Sequence, residues 1–184
     1  KQNNTAFFPF YPMLINFFNK LGFDYKYAAV WISRIAFLLL LYAFYYYMSN
    51  YIKTHDPWIG VYALICFPTS YIFGVAYSES LYALLVCLLF ISCYQKNIFI
   101  SIVSAILIGM TRPTAVTLFP VLVFFSWRNF LFSQRSFRSF AYNLLPVFAL
   151  IFGISFVFMH NGFVFGDFLN FFSVQRSWGN NISG

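Results

Sequence analysis

The sequence predicts an all-α, polytopic membrane protein with about six hydrophobic helices, and composition is the first observation behind that class. Of the 184 residues, 61% are hydrophobic, 25% are aromatic and only 8% are charged. Soluble domains carry roughly a quarter of their residues as charged side chains. A chain this apolar cannot cover itself with a polar surface, so we expect lipid to be its surroundings.

The second observation is hydropathy, which divides the chain into six apolar segments expected to form membrane helices within residues 27–160. They cover residues 27–48, 58–76, 79–95, 97–111, 113–127 and 140–160. Two neighbouring segments of about 15 residues, at ~1.5 Å per residue, are too short for a hydrocarbon core of ~30 Å. We therefore expect the hairpin that they form to end in a recess below headgroup level, with Arg112 and Pro113 at its tip.

The whole chain, residues 1–184, is predicted to be a single transmembrane domain. Residues 1–26 form an outer interfacial segment, in which Pro9 and Pro12 oppose a continuous helix at the start. The following stretch alternates apolar residues with Asn and Lys, which is typical of a helix lying on the membrane surface. Residues 161–184 are predicted to form an outer loop.

The distribution of basic residues sets the expected orientation. The loop at residues 128–139 carries three arginines and no acid, which predicts a cytoplasmic location. Alternation then places Lys53 and Lys96 inside, and Glu79, Arg112 and both terminal segments outside. The net charge of +7 is accordingly interpreted as loop charge that orients helices and attracts anionic lipid, and nucleic acid is not an expected partner.

The third observation is that polar residues recur where apolar segments meet the outer face. Ionisable groups are expensive in a membrane, so their repeated placement there predicts a working site. The candidate substrate-binding residues are Glu79, Arg112, Asp167, Gln175, Arg176 and Trp178.

Glu79 and Arg112 each have a structural and a functional interpretation. Glu79 follows Ser78, an expected helix cap, and a carboxylate in a first turn is favoured by the helix dipole. Alternatively, Glu79 stands at a cavity mouth and holds a hydroxyl or a cation such as Arg112. Arg112 either ends a helix and extends to the interface, or clamps a phosphate with its planar guanidinium. The expected recess favours the phosphate interpretation.

The C-terminal stretch combines Asp167, Gln175, Arg176 and Trp178 in one predicted loop. Aromatic residues here commonly anchor a chain at the membrane interface. An indole, an amide and a cation together also suit a sugar or a sugar phosphate, and we favour that interpretation.

No metal site or cofactor is predicted. The three cysteines lie inside apolar runs without CxxC spacing, and His55 and His160 are far apart and have no neighbouring carboxylate pair. These patterns give no zinc site, no disulfide framework and no catalytic dyad.

Several motifs, taken in order, resemble the PIG-V type mannosyltransferases. They are Phe7–Pro12, Phe67–Ser70, Ala76–Leu81, Thr111–Thr114, and Gly166–Asp167 with Gln175–Gly179. The FPTS block followed by YSES is the most specific part, and the Arg-Pro-Thr form is more similar to bacterial than to eukaryotic relatives. The likeness covers nearly the whole chain.

The resemblance implies a glycosyltransferase of the GT-C superfamily with a partial GT-C fold. Such an enzyme moves a sugar, here expected to be mannose, from a polyprenyl-phosphate carrier to a lipid or glycan acceptor at the extracytoplasmic face. Its location would be the bacterial plasma membrane or the eukaryotic endoplasmic reticulum. These enzymes carry their catalytic carboxylate in the first outer loop, so we expect the general base upstream of Lys1 and this chain to be a fragment.

Two other classes stay open on the sequence. A transporter or flippase of lipid-linked substrates would bind the same phosphate without making a bond, although the chain shows no repeat and its polar groups cluster at one end. A non-catalytic scaffold subunit would agree with a carboxylate missing from the chain.

Overall fold

The computed structural model describes residues 8–132 and 137–166, and these residues form helices with no strand among them. The helices are α1 Phe10–Lys20, α2 Tyr25–Tyr47, α3 Pro57–Cys66, α4 Glu79–Tyr94, α5 Ile98–Thr111, α6 Leu118–Phe132 and α7 Phe137–Phe165. A π-helical turn, Met48–Ile52, continues α2, and short 3₁₀ turns occupy Ser70–Gly74 and Pro113–Thr117. The all-α prediction is confirmed for the described residues.

Local sequence signals account for three of the helix starts. The side-chain oxygens of Asp24, Asp56 and Asn97 accept backbone N–H groups from the first turns of α2, α3 and α5, respectively. Each such cap satisfies an otherwise unpaired donor and is worth about 1 kcal/mol. These polar residues therefore belong to helix boundaries rather than to a site.

The predicted apolar segment 58–76 is not one helix. α3 ends at Cys66, because Phe67 precedes Pro68 and takes an extended conformation (ψ 132°), as residues before proline usually do. A 3₁₀ turn then carries the chain toward α4. The 10-residue α3 is too short to cross a hydrocarbon core that needs about 20 residues.

The last two helices also differ from their predicted limits. The segment expected at 113–127 begins with the 3₁₀ turn and continues as α6 to Phe132. α7 runs to Phe165 with Pro146 inside it. The predicted outer loop at 161–184 therefore starts with helical residues.

Six of the helices, α2 to α7, are apolar, in agreement with the expected number. Two of them are long and apolar enough to cross a membrane, over Tyr25–Ile52 and Leu144–Phe163. The other four apolar helices have 10–17 residues.

The helices pack in the order α2, α4, α5, α7 and α6, while α1 lies against α2 and α5. Their shared core includes Leu40, Leu85, Leu89, Ile108 and Leu150. The outward faces of α2 and α7 are also apolar, and their exposed side chains include Trp31, Leu38, Tyr42, Phe148 and Phe152. Apolar surface of this extent marks contact with a membrane or with another protein.

The crossing of α5 and α7 depends on two glycines. A Cβ atom on Gly153 would lie 2.3 Å from the carbonyl oxygen of Ile106, and one on Gly109 would lie 2.8 Å from that of Leu150. The two backbones thus touch, which only residues without a side chain permit. This contact fixes α5 against α7 near the C-terminal end of α5, shortly before Arg112.

Candidate functional site

An ion pair joins the beginning of α4 to the end of α5. Arg112 Nη1 lies 2.8 Å from Glu79 Oε1. The side chains are 33% and 26% exposed, respectively, so the pair is neither fully solvated nor sealed from water. Since α4 and α5 are antiparallel neighbours, the chain brings together at one end two charges that are far apart in sequence.

The position of Arg112 follows from the proline after it. α5 ends at Thr111, and Arg112 takes an extended conformation (φ −153°, ψ 149°) before Pro113. Proline disfavours helical geometry in the preceding residue. Arg112 therefore leaves the helix at this point, and its guanidinium meets Glu79.

The predicted capping role of Ser78 is wrong. Ser78 precedes α4 with right-handed helical angles, and its side chain makes no capping hydrogen bond. A capping residue normally adopts extended angles that aim its oxygen at the first turn. Glu79 is left as the acidic residue of the first turn, where the helix dipole favours negative charge.

Glu79 uses only one of its two carboxylate oxygens within the described part of the chain. Oε1 meets Arg112, whereas Oε2 is buried and meets no hydrogen-bond donor among the described residues. A buried carboxylate oxygen without a donor is unfavourable. The arrangement therefore leaves an acceptor available for a hydroxyl or a water.

The ion pair opens on a cavity of about 430 Å³. Its lining includes the polar and charged residues Ser78, Glu79 and Arg112. The start of the described chain and α1 add Phe8, Tyr11, Pro12 and Ile15. The cavity is therefore amphipathic, because charged and apolar side chains share its lining.

The hydroxyl groups of Tyr11, which lines this cavity, and Ser33 form a hydrogen-bonded hydroxyl chain. Tyr11 Oη lies 2.8 Å from Ser33 Oγ and 2.9 Å from the Ala29 carbonyl oxygen, and Ser33 Oγ donates to the Tyr77 carbonyl over 2.7 Å. Burial raises the pKa of Tyr11, the hydrogen bond with Ser33 opposes the increase, and the negative charge of Glu79 adds to it. Tyr11 therefore keeps its proton and can donate it.

The structure brings together two of the six predicted site residues, Glu79 and Arg112. The other four, Asp167, Gln175, Arg176 and Trp178, lie outside the described residues. α7 nevertheless runs toward this end of the bundle, because Val157 packs with Phe8 and Met110.

Sequence reasoning missed Tyr11 and Ser33. Tyr11 was assigned to an interfacial segment, yet α1 packs on α2 and buries this side chain to 8% exposure. Ser33 is a polar residue in an apolar helix, and it shares a buried face with Ala29, Ala36 and Leu40. That spacing was a readable signal that its hydroxyl faces the protein interior.

Within residues 8–132 and 137–166, no group of three or more His, Cys, Asp or Glu side chains is placed to hold a metal ion. No protein-family model, curated protein or solved structure matches this chain. The resemblance to PIG-V type mannosyltransferases rests on the sequence motifs alone.

Proposed function

We propose that this chain is part of a multi-pass membrane glycosyltransferase that moves a sugar from a polyprenyl-phosphate carrier to a lipid or glycan acceptor. The observation that carries the proposal is the Glu79–Arg112 pair, which opens on an amphipathic cavity. A lining that combines charged and apolar side chains suits a ligand that is both anionic and lipid-linked. The motif resemblance names the same class of substrate.

A membrane location is supported by two long apolar helices and by the apolar outward faces of α2 and α7. At the end where the cavity lies, α4 and α5 bury Ser80 and Thr111 beside the partly exposed Glu79–Arg112 pair. In the expected orientation this end faces the extracytoplasmic side, where polyprenyl-linked sugars are used by GT-C enzymes.

Arg112 is proposed to bind the phosphate of the carrier. A guanidinium has five N–H donors in a rigid fork, and Glu79 meets only one of its terminal nitrogens. The remaining donors match phosphate oxygens. Arg112 would therefore stabilise the negative charge that develops on the departing phosphate.

Glu79 is proposed to orient a substrate hydroxyl through Oε2. Because Oε1 is engaged by Arg112, the carboxylate is held in one position, and its second oxygen is left without a donor among the described residues. A hydroxyl that donates to Oε2 would supply the missing hydrogen bond. By the same resemblance, Asp167, Gln175, Arg176 and Trp178 would complete the contacts to sugar and acceptor.

By the same resemblance, the proposed reaction uses a carboxylate general base of the kind that these enzymes carry in their first outer loop. That base takes the proton of the acceptor hydroxyl, and the acceptor oxygen forms a bond to the anomeric carbon. The bond between that carbon and the phosphate oxygen breaks, and polyprenyl phosphate leaves with the electron pair. A positioned base contributes about 10²- to 10⁴-fold to such a step.

The test measures sugar transfer by the full-length protein with labelled polyprenyl-phosphate mannose. Arg112→Ala is expected to reduce transfer by about 10²- to 10³-fold, as removal of a positioned donor does. Arg128→Ala is the matched control, since Arg128 lies over the Phe125 ring in α6, far from the cavity. Both variants should melt at the temperature of the unaltered protein.

Wild-type transfer by Arg112→Ala would refute the phosphate role. Binding and translocation of the labelled carrier without release of its sugar would instead identify a flippase. No binding of the carrier by the unaltered protein would refute the substrate class.

A further inference from the structure

The hydroxyl chain of Tyr11 and Ser33 connects three elements around the cavity. α1 contributes Tyr11, α2 contributes Ser33, and the segment before α4 contributes the carbonyl of Tyr77. Ser33 is 0% exposed, so water cannot replace a lost partner. A buried hydroxyl depends on such bonds.

Counting hydrogens limits the directions of these bonds. Tyr11 and Ser33 supply two hydroxyl hydrogens for three short contacts. Ser33 donates to the Tyr77 carbonyl, which can only accept. Tyr11 donates to the Ala29 carbonyl or to Ser33, and in either case Ser33 remains the donor to Tyr77.

Tyr77 stands two residues before Glu79, in a segment that is fixed by few other bonds. Its amide donates to the Val75 carbonyl over 2.7 Å, which closes a local turn, and Ser78 adds no capping bond. Within the described residues, the Ser33 hydroxyl therefore supplies a long-range hydrogen bond from this segment to α2, next to the Phe37–Phe73 ring stack.

We infer that Tyr11 and Ser33 are positioning residues, which fix the backbone at Tyr77 and thereby hold Glu79 against Arg112. α1 is then part of the cavity's construction and not only a helix on the membrane surface. The inference concerns the geometry of the ion pair, so it stands or falls independently of sugar transfer.

The test measures how fast phenylglyoxal modifies Arg112 in the purified full-length protein in detergent micelles. Mass spectrometry of the peptides gives the rate for each arginine, and Arg128 serves as the internal reference. A guanidinium held by a carboxylate reacts slowly, so Glu79→Gln should raise the Arg112 rate about two- to fivefold, in line with a partly exposed ion pair.

Ser33→Ala and Tyr11→Phe each remove one oxygen and are expected to raise the Arg112 rate toward that of Glu79→Gln. Ser33→Ala is the decisive variant, because Tyr11 can still donate to Ala29 and keep α1 in place. Tyr46→Phe is the matched control, since its hydroxyl accepts from Gln95 at the opposite end of the bundle. It should leave the Arg112 rate unchanged.

Whether Ser33 affects Arg112 through Glu79 is tested by combining Ser33→Ala with Glu79→Gln. If Ser33 acts by holding Glu79, the double variant should react no faster than Glu79→Gln alone. The inference is overturned if Ser33→Ala leaves the Arg112 rate at the unaltered value, or if the two increases multiply. It is also overturned if Glu79→Gln has no effect, because the ion pair would then be absent in solution.

Discussion

The two ends of the helix bundle are built from different chemistry. The cavity end, defined by Tyr11, Ser33, Glu79 and Arg112, has an ion pair, a hydroxyl chain and an open cavity. The aromatic end instead packs rings against each other. Its members are Tyr46, Tyr47, Tyr51, Tyr94 and Phe125.

The two ends differ in how completely their side chains find interaction partners within the described residues. At the aromatic end, the Tyr51 and Tyr94 rings stack at 5.0 Å, and Tyr94 meets Phe125 edge-on at 5.3 Å. Such ring pairs are favourable in themselves and call for no ligand. At the cavity end, Glu79 Oε2 is buried without a donor among the described residues. We expect substitutions at the cavity end to change activity and those at the aromatic end to change stability.

The largest expected effect comes from replacing Arg112 by lysine, with the same replacement of Arg128 as the control. Arg112→Lys keeps the charge but loses the fork that fits both Glu79 and a phosphate, so we expect transfer to fall about 10²-fold. Arg128→Lys, near the aromatic end, should leave transfer unchanged. Sugar-transfer assays on both lysine variants test this prediction, and equal activities would contradict a functional difference between the two ends.

The next largest effect, on stability, is expected from replacing a glycine near each end of the bundle. Gly153→Ala would place its Cβ 2.3 Å from a backbone oxygen, and we expect about 1–3 kcal/mol of destabilisation from overpacking. A Cβ atom on Gly60 would meet the flexible end of Met48 at 3.1 Å and the Phe44 ring at 3.2 Å, and alanine gains up to ~1 kcal/mol of helix propensity. The stability of Gly60→Ala should change little. Thermal melting compares the two, and similar losses would contradict the backbone contact at the α5–α7 crossing.

A smaller effect is expected from Tyr94→Ala at the aromatic end. Tyr94 contacts Tyr47, Tyr51 and Phe125, and each aromatic pair is worth about 0.5–1.5 kcal/mol. We expect a loss of about 1–2 kcal/mol in unfolding free energy, with transfer per folded molecule unchanged. A large fall in transfer at constant stability would show that the aromatic end also takes part in function.

The smallest effect is expected from Gln95→Ala. Gln95 Nε2 donates to Tyr46 Oη over 3.3 Å at an exposed position, and exposed substitutions of this kind stay within about 0.5 kcal/mol. Denaturant unfolding should give the same midpoint as the unaltered protein. A clear shift would mean that the aromatic end depends on hydrogen bonds as well as on ring contacts.

The sequence by itself determined the all-α class and the six apolar helices, and it offered the pairing of Glu79 with Arg112 as one of two interpretations. That pairing was predictable because the short connection between α4 and α5 makes them antiparallel neighbours, so the start of one meets the end of the other. Only the tertiary structure decided the chain from Tyr11 through Ser33 to Tyr77, which joins residues 22 and 44 positions apart. It also decided the glycine crossing of α5 and α7. Helices that are apolar on nearly every face carry little periodicity to say which face meets which partner, so side-chain shape and close packing select those contacts.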